Sequence, residues 1–226
     1  MLHIVATPLG NLQDITLRAL DVLKRADVVY CEDTRRTRQL LSAFDIHKPL
    51  ERYEEHNPRC LDKLMETLKA SKEVALVSDG GTPAVSDPGC KIVARARAEG
   101  LSVASLPGCS AVAAAAAGCG FPADAFIFLG FLPRSSGRQR KILTQAAAFE
   151  KTMILFESPY RIVKTLGLLE EVLGAQTPAA LGRELTKLHE EWLWGTVGEI
   201  RAQLAARAGV RGEITLALNP RKDPAP

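Results

Sequence analysis

The sequence has no C-x-x-C pair. Its five cysteines, Cys31, Cys60, Cys90, Cys109 and Cys119, are odd in number and widely spaced. With no signal-like segment ahead of them, they predict reduced thiols in a cytoplasmic protein and no disulfide framework. No uncharged apolar run is long enough to span a bilayer, which excludes a membrane role; the longest small-residue run, "AVAAAAAG" at 111–118, predicts a short buried helix. His3, His47, His56 and His189 lack the i, i+4 or H-E-x-x-H spacing of a metal centre, so no metal is expected, and each is read as a surface or locally hydrogen-bonded histidine. The dinucleotide fingerprint G-x-G-x-x-G does not follow the first strand, and the phosphate loop G-x-x-x-x-G-K-[ST] and the nucleophile elbow G-x-S-x-G are also missing. These absences argue against a Rossmann dehydrogenase, a P-loop nucleotidase and an α/β-hydrolase.

What is present is a chain of 226 residues, 46% hydrophobic and 24% charged, long enough for one large domain or two small ones. The net charge of +3 permits a nucleic-acid partner and equally suits a small-molecule enzyme.

Strand and helix patterns alternate along it. Apolar strand-like runs at 3–6, 27–33 and 73–79 are separated by helical patterns at 14–26, 34–44, 59–70 and 88–100, and "LSVASLPG" leads into the alanine helix. Asp14 is placed to cap the first helix, Pro88 to open the fourth and Gly100 to close it. Further strands are expected at 126–131, 152–158, 178–182 and 213–218, with helices near 138–149, 159–173 and 197–208 and an edge strand or hairpin at "EEWLWGTV". The pattern predicts an α/β protein of two lobes, each a mixed or mostly parallel sheet flanked by helices. The Gly/Ala-rich stretch 108–122 marks the boundary, dividing the chain into 1–112 and 113–226. The polar, proline-rich end "NPRKDPAP" reads as frayed.

Five strands run into loops rich in Gly, Pro and small polar residues: "ATPLGN", "SDGGTPAVSDPG", "LPGCSA", "GFLPRSSGRQRK" and "ESPYR". In open α/β sheets ligands bind beyond the carboxyl ends of strands, and such loops bring main-chain groups to a ligand. A nucleoside-like or small molecule held largely by backbone is expected. Asp79 is a candidate to accept from ribose hydroxyls or an amino group, or else forms an Asx turn. Asp87, before Pro88, reads as an N-cap, and Ser110 as a cap for the alanine helix whose N-terminus also suits a carboxylate.

The blocks "IVATPLGNLQDITLRALDVLKRADVVYCEDTRRTRQLL", "EEHN", "VALVSDGGTPAVSDPG", "PGCSA", "FLGFLP", "FESPYRI" and "RELTKLHEEWLWGTVGEI" closely resemble the tetrapyrrole-methylase superfamily, in particular its branch that modifies small-subunit ribosomal RNA. The match runs in order over nearly the whole chain. It implies the class III methyltransferase fold, S-adenosylmethionine as donor in the cleft between lobes, a homodimer, and 2′-O-methylation of a cytidine in the decoding region of 16S rRNA. The donor-binding residues it implies are Pro8, Asp79, Gly80, Thr82, Val85, Ser110, Ala111, Phe156, Leu185 and Ile214; the side chains of Phe156 and Leu185 also fit a core role. Two departures stand out. Relatives often carry a further C-terminal helical segment, so any substrate contact it supplies is expected to be absent or replaced. "SDGG" replaces the commoner "SDAG", which widens backbone freedom without removing the carboxylate.

Attack by a ribose hydroxyl is helped by a base. Glu32, Asp33, Glu157 and Glu184 are the candidates, with Lys187 as an oxyanion or phosphate partner. Asp33 beside Arg35 and Arg36, and Glu157 beside Arg161, equally fit plain ion pairs, and catalysis by positioning alone stays open. Two basic clusters are candidate RNA contacts: Arg35, Arg36 and Arg38, and Arg134, Arg138, Arg140 and Lys141 in a stretch without acidic residues. Competing functions are a small-molecule tetrapyrrole methylase and a non-enzymatic RNA-binding assembly factor.

Overall fold

A computed structural model describes residues 1–221; the end at 222–226, part of the segment read as frayed, lies outside the described residues. The chain divides into two compact units, Met1–Ser110 and Ala111–Pro226.

The first unit holds a five-stranded, wholly parallel sheet. Its strands are β1 (Leu2–Val5), β2 (Val28–Cys31), β3 (Leu50–Arg52), β4 (Val74–Val77) and β5 (Val103–Leu106), in the order β3-β2-β4-β1-β5. Alternate residues of each strand serve opposite faces. Val5, Val29, Cys31, Ala75 and Val77 pack with α1 (Leu17–Arg25) and α2 (Thr34–Ala43), while Leu2, Ile4, Tyr30, Val74 and Leu76 pack with α3 (Pro58–Lys69) and α4 (Cys90–Ala98). Burial on both faces explains why these strands read as continuous apolar runs. The helix after β1 goes to one face and the helix after β4 to the other. Neighbouring strands β1 and β4 therefore form the topological switch point, the place in such sheets where loops part and a ligand can enter.

The second unit carries a mixed sheet of β6 (Phe126–Phe131), β7 (Thr152–Glu157), β8 (Pro178–Arg183), β9 (Glu191–Thr196) and β10 (Ile214–Leu218), ordered β6-β7-β10-β8-β9. Only β6 and β7 are parallel. One face packs Met153, Leu155, Leu181 and Leu216 against α6 (Ser136–Ala147), α7 (Ile162–Leu173) and α8 (Val197–Ala205). The other packs Ile154, Ala180 and Ala217 against the alanine helix α5 (Ala111–Gly118). Small side chains on α5 allow close approach, and a Cβ on Gly118 would lie 2.7 Å from the Trp192 ring.

Four local expectations need correction. Asp14 does not cap α1: Thr16 does, its hydroxyl accepting from Ala19 N at 3.1 Å, and Asp14 lies in a preceding 3-10 turn. Asp87 is not the N-cap residue of α4, because the helix begins at Cys90 after Gly89, whose φ is 144° and which has no side chain to cap with. Glu55 fills the gap from 34 residues upstream; its carboxylate accepts from Gly89 N and, at 3.0 Å, from Lys91 N. Strand β3 was not anticipated, and α7 starts at Ile162, three residues later than expected. Gly100 closes α4 as anticipated, with φ of 73° and its N–H on Arg97 O. "EEWLWGTV" supplies β9, an edge strand antiparallel to β8.

Candidate active site

At the switch point of the first unit the loops after β1, β4 and β5 are tied together by main chain. Thr7 and Gly81 exchange both backbone hydrogen bonds, at 2.9 and 2.8 Å. The Thr7 hydroxyl donates to Ser78 O and the Ser78 hydroxyl to Gly81 O, each at 3.1 Å, so both buried hydroxyls serve the loop. Thr82 Oγ1 donates to Cys109 O at 2.9 Å, fastening the β5 loop to the β4 loop. The glycines are used for approach: a Cβ on Gly80 would stand 3.2 Å from Pro8 O, and one on Gly108 only 2.8 Å from Ala6 Cβ. Gly81 has φ of 94°, a region that strains any other residue. Pro8, Asp79, Gly80 and Thr82 thus lie within one stitched loop cluster. Val85 follows on its rim, 38% exposed and flanked by left-handed Ala84 and Ser86, each with φ of 68°. Ser110 ends the β5 loop.

Asp79 faces the protein as well as the loop mouth. Its Oδ1 accepts from Asp33 N at 3.2 Å, and its Oδ2 lies 3.5 Å from Arg36. It is therefore more than an Asx turn, since it couples the β4 loop to the start of α2. Asp33 caps that helix and takes Arg35 in addition, with Oδ2 2.8 Å from Nη2. The hydrogen bonds from Arg35 hold the Asp33 carboxyl far below the usual carboxylate range, a poor setting for a base. Glu32 differs. It makes no hydrogen bond or ion pair among the described residues, and desolvation, then the charges of Asp87 and Asp79, push its pKa up to about 7.

In the second unit, β7 and β8 end where β10 begins, in a single row of Glu157, Ile214 and Arg183. Phe156, Leu185 and Ile214 gather at this end. The Phe156 ring packs edge-on against Phe128 at 4.9 Å, and Leu185 and Ile214 are buried, so all three side chains serve the core. Ala111 opens α5. Glu157 is wholly buried; its carboxylate takes Thr165 Oγ1 at 2.6 Å, Ser158 N at 2.7 Å and Arg161 at 3.3 Å. Three donors meet its two oxygens, a geometry that fits a structural role for Glu157. Glu184, left-handed at φ 53°, accepts from Glu213 N at 2.7 Å and Lys187 Nζ at 2.8 Å. Although desolvation raises its pKa, these partners win and hold it low, while Glu184 and Glu213 likewise keep Lys187 cationic against its own desolvation. A carboxylate so stabilised is a weak proton acceptor.

The first basic cluster is largely spent on these pairs: Arg35 on Asp33 and Arg36 on Asp79, with Arg38 exposed. In the second cluster Arg140 pairs with Glu171. Arg134, Arg138 and Lys141 are exposed and make no ion pair among the described residues. No group of three His, Cys, Asp or Glu side chains suited to a metal ion occurs among the described residues, and no helix there is long and apolar enough to cross a membrane.

A sequence model of the tetrapyrrole (corrin/porphyrin) methylases matches residues 1–201. The chain belongs to the tetrapyrrole methylase family. It is 45% identical over 220 residues to the ribosomal RNA small subunit methyltransferase I of Mesorhizobium japonicum, covering 97% of this chain and 75% of that one. It is 41% identical to the Thermotoga maritima protein of the same name, covering 96% and 97%. Among solved structures, the uroporphyrin-III C-methyltransferase of Thermus thermophilus complexed with S-adenosyl homocysteine superposes with a TM-score of 0.67 at 21% identity, covering 96% of each chain. The protein is thus a methyltransferase, and the donor of this methylase family is S-adenosylmethionine. For a methylase, the glycine-bordered loops at the β1/β4 switch point are the part of the first unit that fits such a ligand: main chain approaches main chain there, and the Asp79 side chain stands at the mouth.

Proposed function

We propose that the chain transfers a methyl group to the 2′-hydroxyl of a cytidine ribose in the decoding region of 16S rRNA, within the small ribosomal subunit. The observation that carries the donor half of this reading is the Thr7–Gly81 bridge, which holds the "TPLG" and "SDGGTP" loops at the switch point with Asp79 beside them. Support for the acceptor half comes from relatives named for small-subunit ribosomal RNA at 41–45% identity, and from the exposed Arg134, Arg138 and Lys141, which form no ion pair among the described residues.

S-adenosylmethionine supplies an electrophilic methyl carbon on a sulfonium. Pro8, Asp79, Gly80, Thr82, Val85 and Ser110 of the first unit would hold it, with Ala111, Phe156, Leu185 and Ile214 completing the assignment. Asp79 would accept from its ribose hydroxyls or amino group, and the loop amides would fix its conformation. The chain's work is then alignment: the acceptor oxygen must lie in line with the carbon–sulfur bond, so that an oxygen–carbon bond forms as that bond breaks and the hydroxyl proton passes to a nearby acceptor or water. Because Asp33, Glu157 and Glu184 are each held ionised or fully bonded, positioning carries more of the rate than any of them as base. Lys187 is committed to Glu184 and Glu213, at 2.8 and 3.1 Å, and would act on RNA only by leaving them. We read the active form as a homodimer in the cytoplasm.

The test is transfer of label from methyl-labelled S-adenosylmethionine to small subunits from cells lacking this protein, followed by nucleoside mapping. Label on a ribose oxygen of one cytidine is the expected result; label on a base atom, or on a tetrapyrrole and not on RNA, would overturn it.

A further inference from the structure

The first unit contains a cavity of about 520 Å³ at the carboxyl ends of β2 and β3, lined among others by Glu32, Tyr53, Glu55, His56 and Asp87. It adjoins the stitched donor loops, and Ser86, Asp87 and Pro88 at the far end of the β4 loop form part of its wall. Strand β2 is the direct neighbour of β4, neighbouring strands lie roughly 4.8 Å apart, and the Asp33–Asp79 hydrogen bond spans the seam between the two sites. A volume of this size lies within the range of about 300–1,000 Å³ typical of small-ligand sites. It is of the scale of one small ligand, such as a single unstacked nucleotide.

We propose that this cavity receives the acceptor nucleotide, extruded from its strand, and that the Glu32 carboxyl holds it by hydrogen bonds to the edge of the base. The proposal rests on the reading of the chain as an RNA methyltransferase and adds the acceptor pocket to it. Three observations support it. The other carboxylates on the β3 side are occupied, Glu54 by Arg52 at 3.0 Å and Glu55 by the first turn of α4, whereas Glu32 has no partner among the described residues. Tyr53 is 1% exposed, yet its hydroxyl has no hydrogen-bond partner there; the Ile92 backbone acts on it without reaching full hydrogen-bond geometry. A buried hydroxyl without an acceptor is costly, and Tyr53 lies in the wall of this cavity. The acidic lining also disfavours phosphate while admitting a neutral base, which leaves the backbone to be met by arginines outside.

A protonated carboxyl presents an O–H donor and a C=O acceptor side by side. Cytosine N3 and its 4-amino group are the matching acceptor and donor. Extrusion of a target nucleotide into a pocket is a general solution for enzymes that must reach a group within folded RNA. Ionisation of Glu32 removes the donor, so acceptor binding weakens as pH rises through about 7. Burial, then the charges of Asp87 and Asp79, raise the carboxyl's pKa, and Arg52, Glu54, Glu55 and His56 line the same cavity.

The Glu32→Gln and Glu32→Ala variants decide the matter, with small subunits as acceptor and donor affinity measured by calorimetry as the check on folding. Gln keeps a donor and an acceptor side by side. It is expected to flatten the rise in acceptor KM that the proposal expects of wild type between about pH 6 and 8. Ala is expected to raise the acceptor KM about tenfold or more with donor affinity unchanged. Unchanged KM in Ala would overturn the proposal, as would loss of kcat in Gln at unchanged KM, which would make Glu32 a proton acceptor. Should Ala fail to fold, the pH profile of Gln still decides. Wild type that labels no RNA at all would sink the RNA reading itself and this pocket with it.

Discussion

Asp79 Oδ1 accepts the backbone N–H of Asp33 at 3.2 Å, so the last residue before the glycine pair of the β4 loop is bonded to the cap of α2. A carboxylate that would grip the donor therefore also aligns the neighbouring strand end, where Glu32 sits.

Replacing Asp79 tests that double duty. Asp79→Ala is expected to raise the donor Kd about tenfold or more and to lower stability by roughly 1 kcal/mol, because Asp33 N and Arg36 lose their acceptor. Asp79→Asn keeps the Oδ1 acceptor and should recover most of the stability but little of the affinity. Calorimetry and urea unfolding on the three proteins check both; equal donor affinity in all three would leave Asp79 a purely structural tie.

Glu32 should shape stability as a function of pH. Its folded pKa of about 7 lies above its ordinary value of 4.5, so the folded state favours the protonated form. That advantage is present below about pH 4.5, is lost as pH rises, and is gone above about 7. Glu32→Gln, which cannot ionise, should match wild type near pH 4.5 and exceed it at pH 8 by on the order of 1 kcal/mol, a figure reduced for solvent screening. Urea unfolding at the two pH values measures the difference, and a gap of the opposite sign would contradict the burial described for this carboxyl.

Glu157 belongs to the fold of the second unit. Removing one side of its buried network in Glu157→Ala leaves Arg161 and Thr165 without their partner and should cost about 3–5 kcal/mol. Thr165→Val should cost less, since the carboxylate keeps Arg161 and Ser158 N. If Glu157→Ala instead folds normally and loses only kcat, the assignment of Glu157 to structure fails.

The free cations of the α6 region should govern RNA affinity through salt. Combined Arg138→Ala and Lys141→Ala changes are expected to weaken binding to small-subunit RNA and to reduce the slope of log K against log salt by about 0.7 for each phosphate that is no longer neutralised. Donor affinity should stay the same. Arg140→Ala alone should do less, because that guanidinium is already paired with Glu171.

The alternation of strands and helices was readable because each buried strand needs apolar residues on both faces and each helix an apolar stripe; ten strands and eight α-helices result among the described residues. The one strand that the sequence pattern does not reveal, β3, has only three residues, Leu-Glu-Arg, too few and too polar to show a period. Non-local partners could not be read. Proximity in sequence favours Asp87 as the cap of α4, yet the acceptor comes from Glu55, whose approach depends on how β3 and α3 are placed. In the same way "CEDTR" offers two adjacent carboxylates as equals. Only the fold shows that Asp33 is committed to a helix end while Glu32 faces a cavity.

Glu55 fastens two stretches of chain with one side chain, joining the "EEHN" segment beside the cavity to the opening turn of α4. Shortening or lengthening the chain between β3 and α3 would move that anchor, unseat the helix start and distort the chamber next to it at once. Length changes should accordingly be poorly tolerated at 54–57.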